Sequence, residues 1–456
     1  MSKKIIVIGS GPAGYPAAFK LAELGAEVTV VEKEQVGGVC LNWGCIASKS
    51  YLDAAHRFHA MHSLKDLTQD GSENLLKSVQ DKLSWEKIQN RRLHTITKLR
   101  NGLKMQFKAK KINLVSGTAS FKSSNEINIE TDGKTITEKF DYAIIACGTE
   151  SFFPPPFNAH KEKLLDNKTV FSLEKLPKSI IIVGGGVIGV EFACLFNAMG
   201  TKVDIVEIMP DILVGEDANI VRVLKTSFEK SGIKIHLGKK AKDVEINGGV
   251  KKITLEDGTE MQAEHILVAA GRTAELENLK LDNVSVKWDK KGIAVDENFQ
   301  AGQKNIYIIG DVNGKMLLAH AASAQGVACA NNIMGQKSFY DNNLVPKCIY
   351  TWPESASVGL NKTQAEKAGK QVKTLKAFFM SNGKAQATGE TQGFVQITVD
   401  AASDEILGAQ IIGSGATEII HTFAVALYTK MKTEDLKKII FAHPTMSETI
   451  HEALYR

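Results

Sequence analysis

The chain has 456 residues, enough at roughly 150 per domain for about three domains, and its 43% apolar and 23% charged content excludes wholesale disorder and a fibrous protein. Fifty-six basic against fifty-one acidic side chains leave a net charge of +5 with no long basic run to concentrate it, so nucleic acid is not an expected partner. The longest apolar-plus-glycine stretch, Ile180–Val190, is far shorter than the roughly 18–20 residues of a membrane span, and no membrane association is expected.

Met1-Ser2-Lys3-Lys4 runs straight into the strand-like Ile5–Ile8, which leaves no room for a secretory signal and makes the cytoplasm the expected location. Gly9-Ser10-Gly11-Pro12-Ala13-Gly14 follows, then a helical stretch Tyr15–Leu24, Gly25 and a second apolar strand, Val28–Val31, closed by Glu32. Cys40 and Cys45 come next, and residues 54–110 read as mainly helical, with His56, His59 and His62 sharing a solvated helix face. Pro154-Pro155-Pro156, three of the ten prolines, marks a boundary. The opening order then repeats: strand Ile180–Val183, Gly184-Gly185-Gly186-Val187-Ile188-Gly189, a helix to Met199, and strand Val203–Val206 closed by Glu207. A return strand, Asn305–Ile309, ends in Gly310-Asp311, and from about Asn342 a separate α+β unit carries strands near Ser355–Leu360, Gly393–Val399 and Leu407–Ile412. Cys147, Cys194, Cys329 and Cys348 sit singly and are expected to be buried packing residues.

A lone G-x-G-x-x-G says little, but here it stands twice between a strand and a helix, each time with a strand-ending acid eighteen residues beyond its last glycine. The glycines let the backbone approach a pyrophosphate, the helix N-terminus supplies amide donors, and the acid accepts from a ribose hydroxyl. The bland alternative is two packing turns followed by surface glutamates.

For Cys40 and Cys45, zinc would need four ligands, and no second close cysteine or histidine pair accompanies them. A redox disulfide needs nothing else, and closing so short a loop stabilises a fold little, which suits a bond made to be opened. The two dinucleotide motifs, the C-x-x-x-x-C loop after the first, the Gly310-Asp311 pair and the ending His443-Pro444-Thr445-Met446-Ser447-Glu448 together resemble the flavin-dependent pyridine nucleotide-disulfide oxidoreductase family over nearly the whole chain. The resemblance implies an α/β fold of two Rossmann-like dinucleotide-binding domains, for FAD and NAD, plus a C-terminal α+β dimerisation domain. Its segments would be 1–150 for FAD with the redox disulfide, 151–273 for NAD, 274–341 returning to the FAD domain and 342–456 at the interface of a homodimer.

The same resemblance implies roles for single residues. Cys40 is the sulfur that exchanges with substrate and Cys45 the one against the flavin; Lys49 and Glu191 match an ion pair beside the flavin's reactive nitrogen; His443 and Glu448 match a base and its orienting carboxylate, supplied by the partner subunit. FAD would lie against Gly9, Gly11, Gly14, Glu32, Lys49, Gly148, Asp311 and Ala319, and NAD against Gly184, Gly186, Gly189, Glu207 and Gly271. No metal is implied. Ala47 stands where proline is usual, Cys147 replaces a usual threonine, Ala274 and Ala301 replace a common Pro and Thr, and Val39 and Trp43 alter the loop's surroundings. These departures bear on potential, access and turnover before reaction type.

Glu207 would repel a 2'-phosphate and no arginine follows it until Arg222, so NAD is expected over NADP. That choice disfavours a glutathione-reducing relative, and Cys348 being the last cysteine disfavours a mercury-reducing one. The implied substrate is dihydrolipoamide, carried on the lipoyl-bearing domain of a 2-oxo acid dehydrogenase or glycine cleavage complex with its acyltransferase core. Loss of catalysis with retained nucleotide binding is the other reading, which an intact Cys40, Cys45, His443 and Glu448 set disfavours.

Overall fold

The computed structural model describes residues 2–61, 67–68 and 73–456, and the chain divides into two compact units. The first comprises Met1–Ala54, Leu67–Lys175 and Ala270–Tyr340; the second comprises Ala55–Asp66, Leu176–Ala269 and Asp341–Arg456.

In the first unit, β1 (Lys4–Ile8), α1 (Gly14–Glu23) and β2 (Glu27–Glu32) form the opening βαβ. Helices α2 (Gly38–Trp43), α3 (Cys45–Met61), α4 (Glu73–Asp81) and α5 (Trp85–Ala109) follow, then β3 (Asn113–Ser116). An antiparallel sheet of β4 (Thr118–Ser123), β5 (Glu126–Thr131) and β6 (Lys134–Lys139) precedes β7 (Tyr142–Ile145). The short strands β8 (Glu150–Ser151) and β16 (Arg272–Thr273) pair with each other, and β17 (Gln300–Ala301), β18 (Gln303–Ile308) and α8 (Ala319–Ile333) complete the unit. Its main sheet runs β17-β18-β7-β1-β2-β3, with only β17 antiparallel. Both faces are covered, so β1 reads as an unbroken apolar run whose Ile5, Ile6, Val7 and Ile8 are all buried.

Two glycines position the opening helix. A Cβ on Gly14 would stand 1.9 Å from the Gly9 carbonyl oxygen, and one on Gly326 of α8 would stand 2.5 Å from that of Ala13, so α1 is drawn tightly onto both the strand it follows and α8.

The second unit contains β9 (Ser179–Val183), α6 (Val187–Ala198), β10 (Lys202–Glu207), α7 (Ala218–Lys230) and β11 (Lys234–Leu237). A hairpin sheet of β12 (Ala241–Asn247), β13 (Val250–Leu255) and β14 (Glu260–Ala263) leads to β15 (His265–Val268), which closes a parallel sheet ordered β11-β10-β9-β15. A five-stranded antiparallel sheet is ordered β19 (Lys347–Ile349), β20 (Ser355–Gly359), β23 (Ile406–Ile412), β22 (Phe394–Asp400), β21 (Val372–Phe378). Helices α9 (Lys362–Lys367), α10 (Gly383–Thr388), α11 (Ala416–Tyr428), α12 (Thr433–Leu436) and α13 (Glu448–Leu454) complete this part. Phe379, Phe423, Ile397 and Ile450 form its core, and every residue of the central β22 is buried. Among the described residues no helix is long and apolar enough to cross a membrane.

Candidate active site

The cysteine pair is made by a break between two helices. Gly37 and Gly38, at φ 96° and 61°, turn the chain into α2, and Gly44 separates α2 from α3. A side chain at Gly44 would press on the Val39 carbonyl at 3.0 Å and the Cys40 Cα at 3.1 Å, so the two helices meet closely there. Cys40, in the middle of α2, and Cys45, first in α3, come within hydrogen-bonding reach. That bond, then burial, pushes the Cys40 thiol far above its ordinary range, while Lys49 one turn along α3 pulls the other way.

Asn42, between the cysteines and 1% exposed, holds this loop. Its amide donates to the carbonyls of Val36 and Gly38 at 3.1 and 2.8 Å, and its side-chain oxygen accepts from Nε and Nη2 of Arg100 at 3.0 and 2.6 Å. Ser48 Oγ donates to the Cys45 carbonyl at 3.2 Å. Ala47, in the usual proline position, is fully buried. Trp43 is also held, with Asn167 donating to its carbonyl at 3.1 Å and the Lys168 ammonium 5.2 Å from its ring centre.

Both strand-ending acids are buried, which removes the alternative of surface glutamates: Glu32 is 8% exposed and Glu207 9%. Each ties its glycine loop to the turn after its own strand. Glu32 accepts from the N–H and Oγ of Ser10 at 2.9 and 2.6 Å and from the Glu34 N–H at 2.9 Å. Glu207 accepts from the N–H groups of Gly185 and Met209 at 2.6 and 2.7 Å. A carboxylate offers about four lone-pair positions, so acceptor capacity remains for a ribose hydroxyl at each. Helices α1, α6 and α8 begin without a side-chain cap, and Ala319 is the first residue of α8. A Cβ on Gly186 would meet nothing within 4 Å, so the protein's own packing does not account for this glycine, whereas Gly148 and Gly271, as open, are called for by their φ of 70° and 120°. Gly11 is nearly as open, whereas Gly189, like Gly14, is fixed by packing: its Cβ would stand 2.0 Å from the Gly184 carbonyl oxygen.

Asp311 is half-buried at the end of β18, and its carboxylate accepts no side-chain hydrogen bond among the described residues. Burial raises its pKa, opposed in part by Arg272. Arg272 itself is fixed by Thr149 Oγ1 at 2.8 Å, the Thr149 carbonyl and Asn167 Oδ1 at 3.3 Å. The turn before Asp311 is held by Gln325, wholly buried, whose oxygen accepts from the Gly310 N–H and Asn313 Nδ2, both at 2.8 Å.

In the second unit, Glu191 on α6 is 7% exposed and accepts from the Tyr350 N–H at 3.1 Å. Burial first, then Cys348 and Glu191, push the Tyr350 hydroxyl up to about 12. His443 is exposed, and its Nδ1 lies 3.0 Å from Glu448 Oε1. Glu448 Oε2 accepts from the Thr445 N–H at 2.8 Å, and that bond, followed by His443, holds its carboxyl below the usual range. With Nδ1 so engaged, Nε2 is the ring nitrogen left to meet a proton donor.

The remaining cysteines divide: Cys194 and Cys329 are buried as expected, but Cys147 and Cys348 are only half-buried. His56 and His59 are exposed on α3, yet their rings stack on Trp352 at 5.7 and 5.3 Å, so a shared aromatic contact adds to the solvated face; His62 lies outside the described residues. Asn42, Arg100, Arg272 and Gln325 were not singled out in the sequence. Asn42 lies inside the cysteine motif and was open to notice, but the partners of the others are remote in the chain and carry no local signal.

The chain matches the pyridine nucleotide-disulphide oxidoreductase family over residues 3–326 and the family's dimerisation domain over residues 345–454. The dihydrolipoyl dehydrogenase of Bacillus subtilis is 36% identical over 456 residues, spanning 99% of this chain and 97% of that protein. The leghemoglobin reductase of Vigna unguiculata is 36% identical, spanning 98% and 86%. LpdA from Mycobacterium tuberculosis superposes with a TM-score of 0.92 over 99% of both chains at 23% identity, a likeness of fold. The chain belongs to the pyridine nucleotide-disulphide oxidoreductases. As a member of this family it is an oxidoreductase that works with FAD and NAD and has a dimerisation domain. The residues fit both groups: two buried acids with spare acceptor capacity, uncapped helix starts, Gly11 and Gly186 facing open space, and an Asp311 carboxylate whose burial Arg272 offsets only in part.

Proposed function

We propose that the chain oxidises protein-bound dihydrolipoamide to lipoamide with NAD as acceptor, as the flavoprotein of a 2-oxo acid dehydrogenase or glycine cleavage complex. The observation that carries this is the adjacency of Cys40 and Cys45 at the α2–α3 break, directly after the first dinucleotide motif. In support, the relatives named dihydrolipoyl dehydrogenase cover nearly the whole chain. Residues 1–150 and 274–341 serve FAD, 151–273 serve NAD and 342–456 form the interface of a homodimer, a division consistent with the two family matches. A reducing cytoplasmic setting suits a chain whose Cys194 and Cys329 are buried, singly placed thiols.

In this reading His443 of one subunit serves the cysteines of the other. Its Nε2 takes a proton from a substrate thiol, while Glu448 holds Nδ1–H and stabilises the charged ring. The substrate thiolate attacks Cys40, the Cys40–Cys45 bond breaks, and Cys45 leaves as a thiolate. The second substrate sulfur then displaces Cys40 from the mixed disulfide, closing lipoamide, and Cys40 keeps the proton of the reduced pair. FAD, when bound, would supply the two-electron chemistry that links the reduced pair to NAD, the Cys40–Cys45 disulfide re-forming as Cys40 gives up its proton. Lys49 and Glu191 are assigned to the surroundings of the flavin's reactive nitrogen. Glu32 and Asp311 would hold hydroxyls of FAD and Glu207 those of NAD, where its charge disfavours NADP.

The test is an anaerobic absorbance titration of the purified protein with dihydrolipoamide, followed by NAD. A long-wavelength thiolate-to-flavin band that forms with dithiol and collapses as NADH appears supports the reading. No change with dithiol, but bleaching with NADPH and recovery with another disulfide, overturns it.

A further inference from the structure

Helix α5 and the two lysines just beyond it carry nine basic side chains and one acid, Glu86. That surplus exceeds the +5 of the whole chain, so the remainder is net acidic and the expected dispersal of charge is corrected. Four of the nine have internal tasks. Arg92 is buried against the Tyr51 and Phe171 rings, Arg100 holds Asn42, Arg91 pairs with Asp53 at 2.6 Å, and Lys110 lies over Phe19. The other five, Lys87, Lys98, Lys104, Lys108 and Lys111, are exposed, and none has an ion-pair partner among the described residues.

On a 3.6-residue period Lys87, His94, Lys98 and Lys108 share the face opposite the buried Trp85, Arg92, Ile96 and Phe107. They make a basic ridge roughly 30 Å long. Met105, 67% exposed, lies on the same face, and Leu93, 47% exposed, lies at its flank. The ridge is carried by the same helix that packs on α2 and reaches the residue between the two cysteines through Arg100.

We propose that this face of α5 is the docking surface for the acidic carrier domain that presents the dithiol, an inference that rests on the dithiol reading above. A negatively charged carrier is repelled by the net acidic remainder and drawn to the ridge, which raises the rate of productive encounter. Met105, with Leu93 at the flank, adds contact that salt does not screen. Docking on the helix braced against the redox loop keeps the tethered dithiol within reach of Cys40. Nucleic acid fits less well, because the aromatic residues of α5, Trp85 and Phe107, are buried and offer bases no stacking platform.

The experiment compares the parent with a variant carrying Lys87→Glu, Lys98→Glu and Lys108→Glu, all at exposed positions of the ridge. Each holoenzyme is assayed with free dihydrolipoamide and with a purified lipoylated domain of net negative charge, at ionic strengths of about 0.01 and about 0.15 M, between which the screening length falls from about 30 to about 8 Å. Expected is a KM for the domain raised roughly tenfold in the variant at low salt, kcat and the free-substrate KM unchanged, and a weaker salt dependence. An unchanged domain KM overturns the docking inference while free-substrate turnover leaves the dithiol reading standing. A parent inactive on free dihydrolipoamide overturns both. A variant that loses its dimer on sedimentation assigns the ridge to a second copy of the chain, and one whose only change is lost retention of RNA assigns it to nucleic acid; either result overturns the proposal.

Discussion

At the scale of single residues, the two cysteines sit differently: Cys40 lies within α2, its thiol pushed up by the contact with Cys45 and by burial, while Cys45 opens α3, and the proposed function makes Cys45 the sulfur that donates electrons. Cys45→Ser is expected to lower dithiol turnover by at least about a thousandfold while the flavin spectrum of the purified protein persists; a variant that emerges colourless would place Cys45 in flavin retention instead. For His443→Ala, dithiol-dependent kcat/KM should fall by about 10²–10⁴, with reduction by NADH unaltered in stopped-flow traces. Asp311 gives a pH prediction with a definite sign. Burial raises its folded-state pKa, against the pull of Arg272, so its favourable contribution is present below the unfolded value of about 3.9 and is lost as pH rises through the folded one. Flavin-free Asp311→Asn should therefore melt at a higher temperature than the parent at pH 7, the difference closing in acid, while its FAD affinity falls. Equal melting temperatures at pH 7 would mean that the buried charge is already compensated.

At the scale of elements, the parallel strands and the helices that open on glycine were readable because several local rules agree: unbroken apolar runs, a glycine turn and an acid at the strand end. The expected strands at 5–8, 28–31, 180–183 and 203–206 extend by only a residue or so in β1, β2, β9 and β10. The hairpin sheets of β4–β6 and β12–β14 went unread: β6 is exposed at nearly every position and carries no period-two burial, whereas β5, β13 and β14 alternate but are only four to six residues long. Their turns were the usable signal: Asp132-Gly133, both at positive φ, and Gly248-Gly249. The site was legible where it is one local motif, as at Cys40–Cys45 and His443–Glu448, and illegible where it depends on partners far along the chain, as with Arg100 on Asn42. Asn42→Ala leaves the Arg100 guanidinium and buried carbonyls without their partner, at an expected cost of about 1–3 kcal/mol, measurable by urea denaturation. Gly189→Ala forces a carbon toward the Gly184 carbonyl and should raise the KM for NAD several-fold without loss of bound flavin, checked by steady-state kinetics and absorbance.

For the whole molecule, the catalysis in trans proposed above makes activity depend on association. The C-terminal part exposes Ile440 at 94%, Met380 at 63% and Val425 at 60%, more apolar surface than an isolated monomer needs to show. Ile440→Asp is expected to shift the sedimentation-equilibrium mass toward a single chain, and dithiol turnover should fall in proportion while flavin stays bound. Full turnover by a monomeric variant would remove His443 from the partner's site.

The main sheet of the first unit also sets a schedule for biosynthesis. β7 lies between β1 and β18, yet β18 is translated about 300 residues after β1. β18 follows β7 by about 160 residues, so at roughly 5–20 residues per second that edge of β7 stays unpaired for roughly 8–32 s. The contiguous strands of β9–β15 emerge and can pair during this interval. Asp311, which the proposed function assigns to FAD, leaves the ribosome only just behind β18, so that part of the proposed flavin site is among the last of its unit to be made.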